Sequence, residues 1–189
     1  MSDDVVAKDQ GSGFTPHDEG QFAAACADVV GLGERVERYP GKPERVVEKC
    51  ALVFVTNTVG ETKEVSAEFT VSMNERASLR LFLELWRGKG YSPEQAAAGV
   101  PLRLLRGKPA LITVEHKRSQ KGRIYAKIRG ITALPPGLTA PDIDGYQRAA
   151  FWGERKKLYA TEAEQFKQTI AKSEQPQEPS PEDDDDLPF

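Results

Sequence analysis

The sequence predicts a mainly β protein: a five-stranded barrel with a helix between its third and fourth strands, a helical C-terminal extension and a disordered acidic tail. Three observations predict it. Apolar and polar residues alternate along 64–72 and again along 123–134, as in half-buried strands. Between them lies a segment with helical periodicity. Hydrophobic residues make up 39% of the 189 residues, enough for a packed core.

Apolar runs predict the first three strands. Residues 22–30 are apolar except for Asp28, and Val29 and Val30 directly before Gly31 favour a strand over a helix. The glycines of 31–33 predict a turn. Nearly every position of 49–56 is apolar, so both faces of this strand should be buried. Along 64–72 the apolar face consists of Val65, Ala67, Phe69 and Val71.

A helix is predicted after the third strand. Ser72 and Glu75 have the spacing of a capping box, and Gly88 ends the helix. Its apolar stripe, spaced i, i+3, i+4 and i+7, consists of Leu79, Phe82, Leu83 and Trp86. A short second helix should run from Ser92 to Gly99.

Two more strands, 109–116 and 123–134, are joined by the polar loop 117–122. In the last strand Ile124, Ala126 and Ile128 should point inward, and Tyr125 should point outward among cations. Three strands, a helix and two strands follow one another in the order of a five-stranded Greek-key barrel. That is the OB fold.

The chain divides into four predicted segments. Residues 1–20 are polar and aperiodic, which indicates a flexible arm, and residues 21–138 form the barrel. Residues 139–172 form a helical extension, and residues 173–189 hold four prolines and seven acids, too little apolar surface to order themselves. The residues predicted to share one side of the extension are Phe151, Leu158, Phe166 and Ile170.

The formal net charge of −3 conceals a strong asymmetry along the chain. Residues 1–34 carry a net −6 and residues 171–189 another −6, whereas residues 76–129 carry a net +10. A basic block of this size is the charge pattern that a polyanion-binding surface leaves. A solvated basic face is the alternative.

Catalytic and metal-binding signatures are missing from the sequence. The two cysteines (Cys26, Cys50) and two histidines (His17, His116) form no spaced zinc cluster or disulfide framework. No nucleophile elbow, phosphate-binding loop or metalloprotease motif occurs, so we expect no enzyme, no cofactor and no metal. No apolar run long enough for a membrane helix or a signal peptide occurs, and a cytoplasmic protein is expected.

The C-terminus carries the most specific motif. Four aspartates precede an apolar hook with a free carboxylate; the seven residues are Asp183, Asp184, Asp185, Asp186, Leu187, Pro188 and Phe189. A partner could bury the phenyl ring, bind the carboxylate through Arg or Lys and attract the aspartates with a basic rim. The proline would reduce the conformational entropy lost on docking. A tail that only improves solubility is the alternative.

This ending resembles the acidic tip of bacterial single-stranded-DNA-binding proteins, whose tails finish in several aspartates, an apolar residue, Pro and Phe. The body is similar to phage-encoded single-stranded-DNA-binding proteins with an OB fold. The similar stretches are 26–34, 69–92 and 104–137, about a third of the chain. The resemblance implies sequence-tolerant binding of single strands, recruitment of replication, recombination or repair proteins through the tail, and a location in the host cytoplasm.

Single-strand binding needs cations along the phosphates and aromatic faces for the bases. Tyr125 lies between cations on the last strand, and the loop before it is where an OB fold places a ligand-binding loop. The predicted nucleic-acid-binding residues are Tyr39, Arg87, Lys89, Tyr91, Lys117, Arg118, Lys121, Arg123, Tyr125, Lys127 and Arg129. For Phe54, Trp86 and Trp152 the sequence leaves stacking on bases and packing in the core both open.

The sequence therefore predicts a non-enzymatic single-stranded-DNA-binding protein of DNA replication, recombination or repair. Its tail recruits partners and competes with DNA for the basic groove, because a tethered segment has a high effective concentration there. One alternative is an adaptor that docks on a host replication protein through its tail without binding DNA. Another is an OB protein that binds RNA or duplexes. A homodimer, higher oligomers and the size of the binding site are left open.

Overall fold

Five antiparallel strands and a long C-terminal helix make up the computed structural model, which describes residues 15–58 and 61–173. The strands are β1 (Gly20–Glu37), β2 (Arg45–Thr58), β3 (Glu61–Thr70), β4 (Pro109–Arg118) and β5 (Ile124–Thr132). Helices α1 (Ser78–Arg87) and α2 (Pro93–Ala98) and a 3₁₀ turn (Leu102–Leu105) lie between β3 and β4, and α3 (Phe151–Ser173) follows β5. The predicted mainly β class is confirmed. No helix in this part of the chain is long and apolar enough to cross a membrane.

The strands form one sheet in the order β3-β2-β1-β4-β5. The long central strand β1 pairs with β2 along most of its length and with β4 through residues 20–25. The predicted turn at 31–33 is wrong, because these residues lie inside β1, where the register shifts between Gly31 and Gly33. Gly33 has a φ of 76°, which glycine adopts at no steric cost, so the segment forms a β-bulge instead of a turn.

Strand β2 is buried on both faces, as its apolar run predicts. Leu52 and Phe54 belong to the main core between the sheet and α1. The residues that alternate with them, such as Val53 and Val55, face the other way and pack beneath residues 140–159. A second apolar layer on the outer side of the sheet therefore explains why residues 50–55 of this strand are all apolar.

The core accounts for the three aromatic residues whose roles the sequence left open. Phe54 is fully buried, and Trp86 and Trp152 are almost so. Phe54 and Trp86 contact each other edge to face with ring centroids 5.3 Å apart, and the Trp86 indole N–H donates to the Pro109 carbonyl. Trp152 packs in the outer apolar layer with Leu32. All three pack rather than offer a face to a base.

Helix α1 has the predicted apolar stripe but not the predicted start. Leu79, Leu83 and Trp86 are buried, and Gly88 ends the helix with a φ of 69°. The capping box predicted at Ser72 and Glu75 is wrong, because the helix begins only at Ser78 after a turn stabilised by side-chain hydrogen bonds within 72–76. The capping box lies instead at the start of α2, between Ser92 and Gln95.

Helix α3 packs through a different face from the one predicted. Phe151, Leu158 and Ile170 are exposed, and the buried side is formed by Trp152, Tyr159 and Ala163. Both sets have a spacing close to seven residues, so both make a helical stripe. The stripe with Trp152 and Tyr159 covers β1 and β2. It carries the larger ring, and the Tyr159 hydroxyl donates to Glu68.

The two cysteines are buried in the sheet, as expected of small apolar side chains. Burial raises the pKa of the Cys26 thiol to about 12 and that of the Cys50 thiol to about 11. Since the thiolate is the reactive form, neither side chain has the character of a nucleophile.

Residues 15–19, which the sequence assigns to the arm, pack against the sheet; residues 1–14 lie outside the described part. His17 is 4% exposed, and its Nδ1 donates to the Asp18 carbonyl. Its Nε2 then accepts from the Thr56 hydroxyl at 2.6 Å in the neutral ring. His116 donates from Nε2 to the His17 carbonyl at 2.8 Å. The hydrogen bonds of both histidines thus hold the residues that precede β1 in place.

Candidate nucleic-acid interface

The outer face of β4 and β5 displays several of the predicted cations. The register pairs Lys117 with Tyr125 and Glu115 with Lys127, which places these four side chains on one face. Glu115 forms ion pairs with Lys117 (3.0 Å) and Arg129 (3.3 Å), and the hydrogen bond from Lys117 is the main cause of its lowered pKa. Tyr125 is 42% exposed, and Lys127 forms no ion pair with any residue that the structure describes.

One residue of β5 departs from the predicted alternation. Ala126 is half-buried and Ile128 is buried, but Ile124 is 47% exposed. Ile124 is the first residue of the strand and pairs with Arg118, the last residue of β4. It therefore lies at the end of the sheet, beyond the core that covers the other inward positions.

The turn between β4 and β5 adds three exposed cations, Arg118, Lys121 and Arg123. The Ser119 N–H donates to the Arg123 carbonyl at 2.8 Å, and Gly122 closes the turn with a φ of 78°. Within residues 15–58 and 61–173, none of the three cations is ion-paired. We call Arg118, Lys121, Arg123 and Lys127 the basic cluster.

A groove separates the two edge strands of the sheet. The strand order leaves β3 and β5 unpaired with each other in the described structure, and a cavity of about 640 Å³ lies between them. The apolar part of its lining includes Phe69 of β3 and Phe82 of α1, whose ring centroids are 4.8 Å apart. The charged part is Lys127 of β5, Arg155 of α3 and Glu68 of β3.

This groove continues into a smaller cleft with two aromatic rings. The cleft has a volume of about 310 Å³ and shares Ser66, Tyr125 and Ala126 with the groove. Its second ring is Phe151, the first residue of α3, which is 45% exposed. We call the space between Tyr125 and Phe151 the aromatic cleft.

The predicted residues after α1 form a separate site. The Arg87 guanidinium lies 4.0 Å from the centroid of the Tyr91 ring, a cation–π contact. The backbone of Tyr91 is bound by Arg80 and Glu84 of α1. Tyr91 is half-buried, so one face of its ring is already occupied; Lys89, in contrast, is exposed.

Arg87 and the cations of the β4–β5 turn lie at opposite ends of β5. Arg87 lines a cavity with Ala133 and Leu134, which follow the strand, whereas Lys121 and Arg123 precede it. The strand has nine residues, so its two ends are separated by about 30 Å, with Lys127 between them. The structure does not bring Arg87 and the turn cations into one cluster.

Tyr39 lies in a third place, at the turn between β1 and β2. Its ring is 52% exposed, and its hydroxyl donates to Glu37 at 3.3 Å. It lines a cavity of about 570 Å³ together with Lys42, Arg45 and Arg76. The charge distribution along the chain does not indicate this pocket, because Lys42 and Arg45 lie within residues 35–75, whose net charge is near zero.

Beneath this pocket Glu37 is a buried carboxylate with three donors besides the Tyr39 hydroxyl. It is 6% exposed and accepts hydrogen bonds from Lys49, from the Thr70 hydroxyl (2.7 Å) and from Arg45 (3.1 Å). Burial by itself raises the pKa of Glu37, but the three donors outweigh it and hold the pKa at about 2. The network joins the ends of β1, β2 and β3.

We expect Glu37 to make the stability of the chain depend on acid. Because its pKa is lower in the folded chain than in the unfolded chain, its stabilising effect is present above about pH 4.5 and lost as the pH falls towards 2. Glu37→Gln should lower the urea midpoint at neutral pH, because Lys49 loses its partner, and flatten the acid dependence. Glu48→Gln, an exposed site on β2 without a described ion pair, is the control. Parallel pH profiles for Glu37→Gln and wild type would contradict the prediction.

The outer face of β1, β2 and β3 is acidic and already covered. Its carboxylates pair with basic residues and tyrosines that follow β5. The pairs are Asp28 with Arg148, Glu64 with Tyr146, Glu68 with Arg155 and Tyr159, and Glu34 with Lys167. In the described part of the chain these four carboxylates are therefore already bound by the segment that follows β5.

Sequence reasoning missed Phe151 and Arg155. Both lie on α3, where the sequence predicts only that Phe151 shares one side of the extension with Leu158, Phe166 and Ile170. An exposed aromatic residue at a helix start has no sequence signal of its own. The predicted tail residues 183–189 lie outside the described part of the chain.

Comparison with protein-family models, with curated proteins and with solved structures finds no match for this chain.

Proposed function

We propose that this chain is an OB-fold single-stranded-DNA-binding protein that acts in DNA replication, recombination or repair, with phage origin as the proposed source. Single strands would bind along β5 and the β3–β5 groove. The basic cluster would contact phosphates, and aromatic rings would stack on bases.

The strand order supports the OB fold. In that fold a five-stranded Greek-key sheet curls into a partly open barrel with strand one beside strands two and four. Here β1 pairs with β2 and β4, and β3 and β5 face each other across the groove. Helix α1, between β3 and β4, closes the core through Leu79, Leu83 and Trp86.

The observation that carries the proposal is the distribution of unpaired charge. In the described residues the acids of the β1–β3 face are bound by basic residues and tyrosines of the C-terminal segment, whereas the basic cluster has no acidic partner. A surface with exposed, unneutralised cations beside an exposed aromatic ring is what a sequence-tolerant single-strand binder requires.

The C-terminal motif supports a second part of the proposal. We infer that Asp183–Phe189 recruits replication, recombination or repair proteins and competes with DNA for the basic cluster. The net charge of −6 over residues 171–189 is opposite to that of the cluster and is tethered to the same chain.

A titration of a fluorescent oligothymidylate at several salt concentrations tests the proposal. If the four cations of the basic cluster each neutralise one phosphate, the logarithm of the binding constant should fall with that of the salt concentration with a slope of about −3. Removal of residues 173–189 should tighten binding at low salt, because the competing charge is lost. Unchanged affinity after this truncation would contradict competition by the tail.

The same titration separates the alternatives. Absence of binding to any oligonucleotide would favour an adaptor that acts through its tail alone. Tighter binding of RNA or of duplex DNA than of single-stranded DNA would favour the alternative of an OB protein that binds RNA or duplexes.

A further inference from the structure

Two exposed aromatic rings from distant parts of the chain face the same cleft. Tyr125 is 42% exposed and Phe151 is 45% exposed, and both line the cavity of about 310 Å³. This volume is at the lower end of the range typical of small-ligand sites. In the described structure Phe151 contacts the ring of Trp152, and no aromatic contact joins Phe151 to Tyr125. The two rings thus border a space that neither fills.

The charges around the aromatic cleft favour an uncharged ring over a phosphate. Its polar lining includes Glu64, Ser66 and His17, whose Nε2 is hydrogen-bonded to the Thr56 hydroxyl, and no lysine or arginine of the described residues lines it. The Glu64 carboxylate would repel a phosphate. A base, in contrast, offers a flat apolar face to the rings and donors to the carboxylate at its edge.

Cations lie where the cleft opens into the groove. Lys127 follows Tyr125 by two residues on the same strand face, about 7 Å further along β5. Arg155 follows Phe151 by four residues, one turn along α3. Both cations line the groove, where Arg155 is ion-paired with Glu68 and Lys127 forms no ion pair with a described residue. On β5 and on α3 alike, an aromatic residue that lines the cleft is followed along the chain by a cation that lines the groove.

The Phe151 ring is held in place by an anchored neighbour. Its centroid lies 4.5 Å from that of Trp152, which is only 1% exposed and packs on β1 and β2. A ring fixed in this way loses little entropy when it stacks on a ligand. The other exposed apolar residue two turns along α3, Leu158, lines neither cavity.

We propose that Tyr125 and Phe151 clamp one unpaired base of a single strand, whose phosphate lies against Lys127. The inference rests on the proposed single-strand binding and adds to it a stacking residue from the C-terminal helix. The clamp excludes a paired base, because a duplex shows neither face of its bases.

Phe151→Leu in the full-length chain is the deciding variant. Leucine keeps an apolar contact with Trp152 but has no aromatic face, so folding should persist while stacking is lost. We expect oligothymidylate binding to weaken by about 5- to 150-fold, the range measured for one stacked base, with an unchanged salt slope. Phe151→Tyr should bind as wild type, and so should Leu158→Ala, the matched control on the same helix.

An oligonucleotide with the fluorescent base 2-aminopurine reports the stacking directly. Its emission should be quenched by wild type and by Phe151→Tyr, and less so by Phe151→Leu. If wild type binds and Phe151→Leu retains full affinity and quenching, the clamp is wrong while single-strand binding stands. If wild type binds no single strand, the proposed function fails and the clamp with it.

Discussion

Replacing Lys121, Arg123 and Lys127 together by glutamine should weaken single-stranded DNA binding by about 100-fold at about 0.1 M salt. Each phosphate contact to a single strand contributes about 0.7 to the salt slope, so loss of three contacts should reduce the slope by about 2. These three cations form no ion pair with a described residue, so their removal leaves no carboxylate unpartnered there. A fluorescence titration at several salt concentrations measures both quantities.

The matched control removes the same charge from another surface. Lys156, Lys157 and Lys172 are exposed on α3, and none of them forms an ion pair in the described part of the chain. The triple glutamine variant of these lysines should keep nearly wild-type affinity. Equal weakening by the two triple variants would mean that net charge, rather than the β4–β5 surface, attracts the strand.

Trp152→Ala should cost about 3–5 kcal/mol in the free energy of unfolding, the range for loss of a large buried aromatic ring. Trp152 is 1% exposed and packs with Val30, Leu32 and Val53 on the outer side of the sheet. Small domains have only about 5–15 kcal/mol in total. The variant should therefore be close to unfolding, with α3 the first element to lose its protection against hydrogen exchange.

Leu158→Ala serves as the control for this prediction. Leu158 is 65% exposed on the same helix, and its removal should change the free energy of unfolding by less than about 0.5 kcal/mol. Urea unfolding measures both variants. If Trp152→Ala were as stable as Leu158→Ala, α3 would not unfold together with the sheet.

Local pattern predicted the elements whose environment is set by near neighbours. The alternation in β3 and β5, the apolar stripe of α1 and its end at Gly88 follow from strand and helix periods. The doubly apolar run of β2 even indicated a second buried face. What covers that face, residues 140–159, could not be predicted, because no local rule relates a strand to a helix a hundred residues later.

Where two local signals competed, tertiary packing decided. Helix α3 has two apolar stripes, and the sheet selects Trp152 and Tyr159 over Phe151 and Leu158 because Tyr159 also donates to Glu68. The glycines at 31–33 fit a bulge as well as a turn. Local pattern is limited in the same way at the site. It predicted the cations of the β4–β5 turn, but it could not predict that tertiary packing places Phe151 in the same cleft as Tyr125.

The groove between β3 and β5, where these two edge strands are not paired in the described structure, has a consequence for self-association. Free strand edges are templates for pairing with other chains, and charged side chains along them are a common protection. Here Lys127 and Glu68 line the groove. Charge removal at Lys127 should therefore also increase concentration-dependent aggregation, so the residues proposed to hold a nucleic acid strand also keep foreign β-strands away from the sheet.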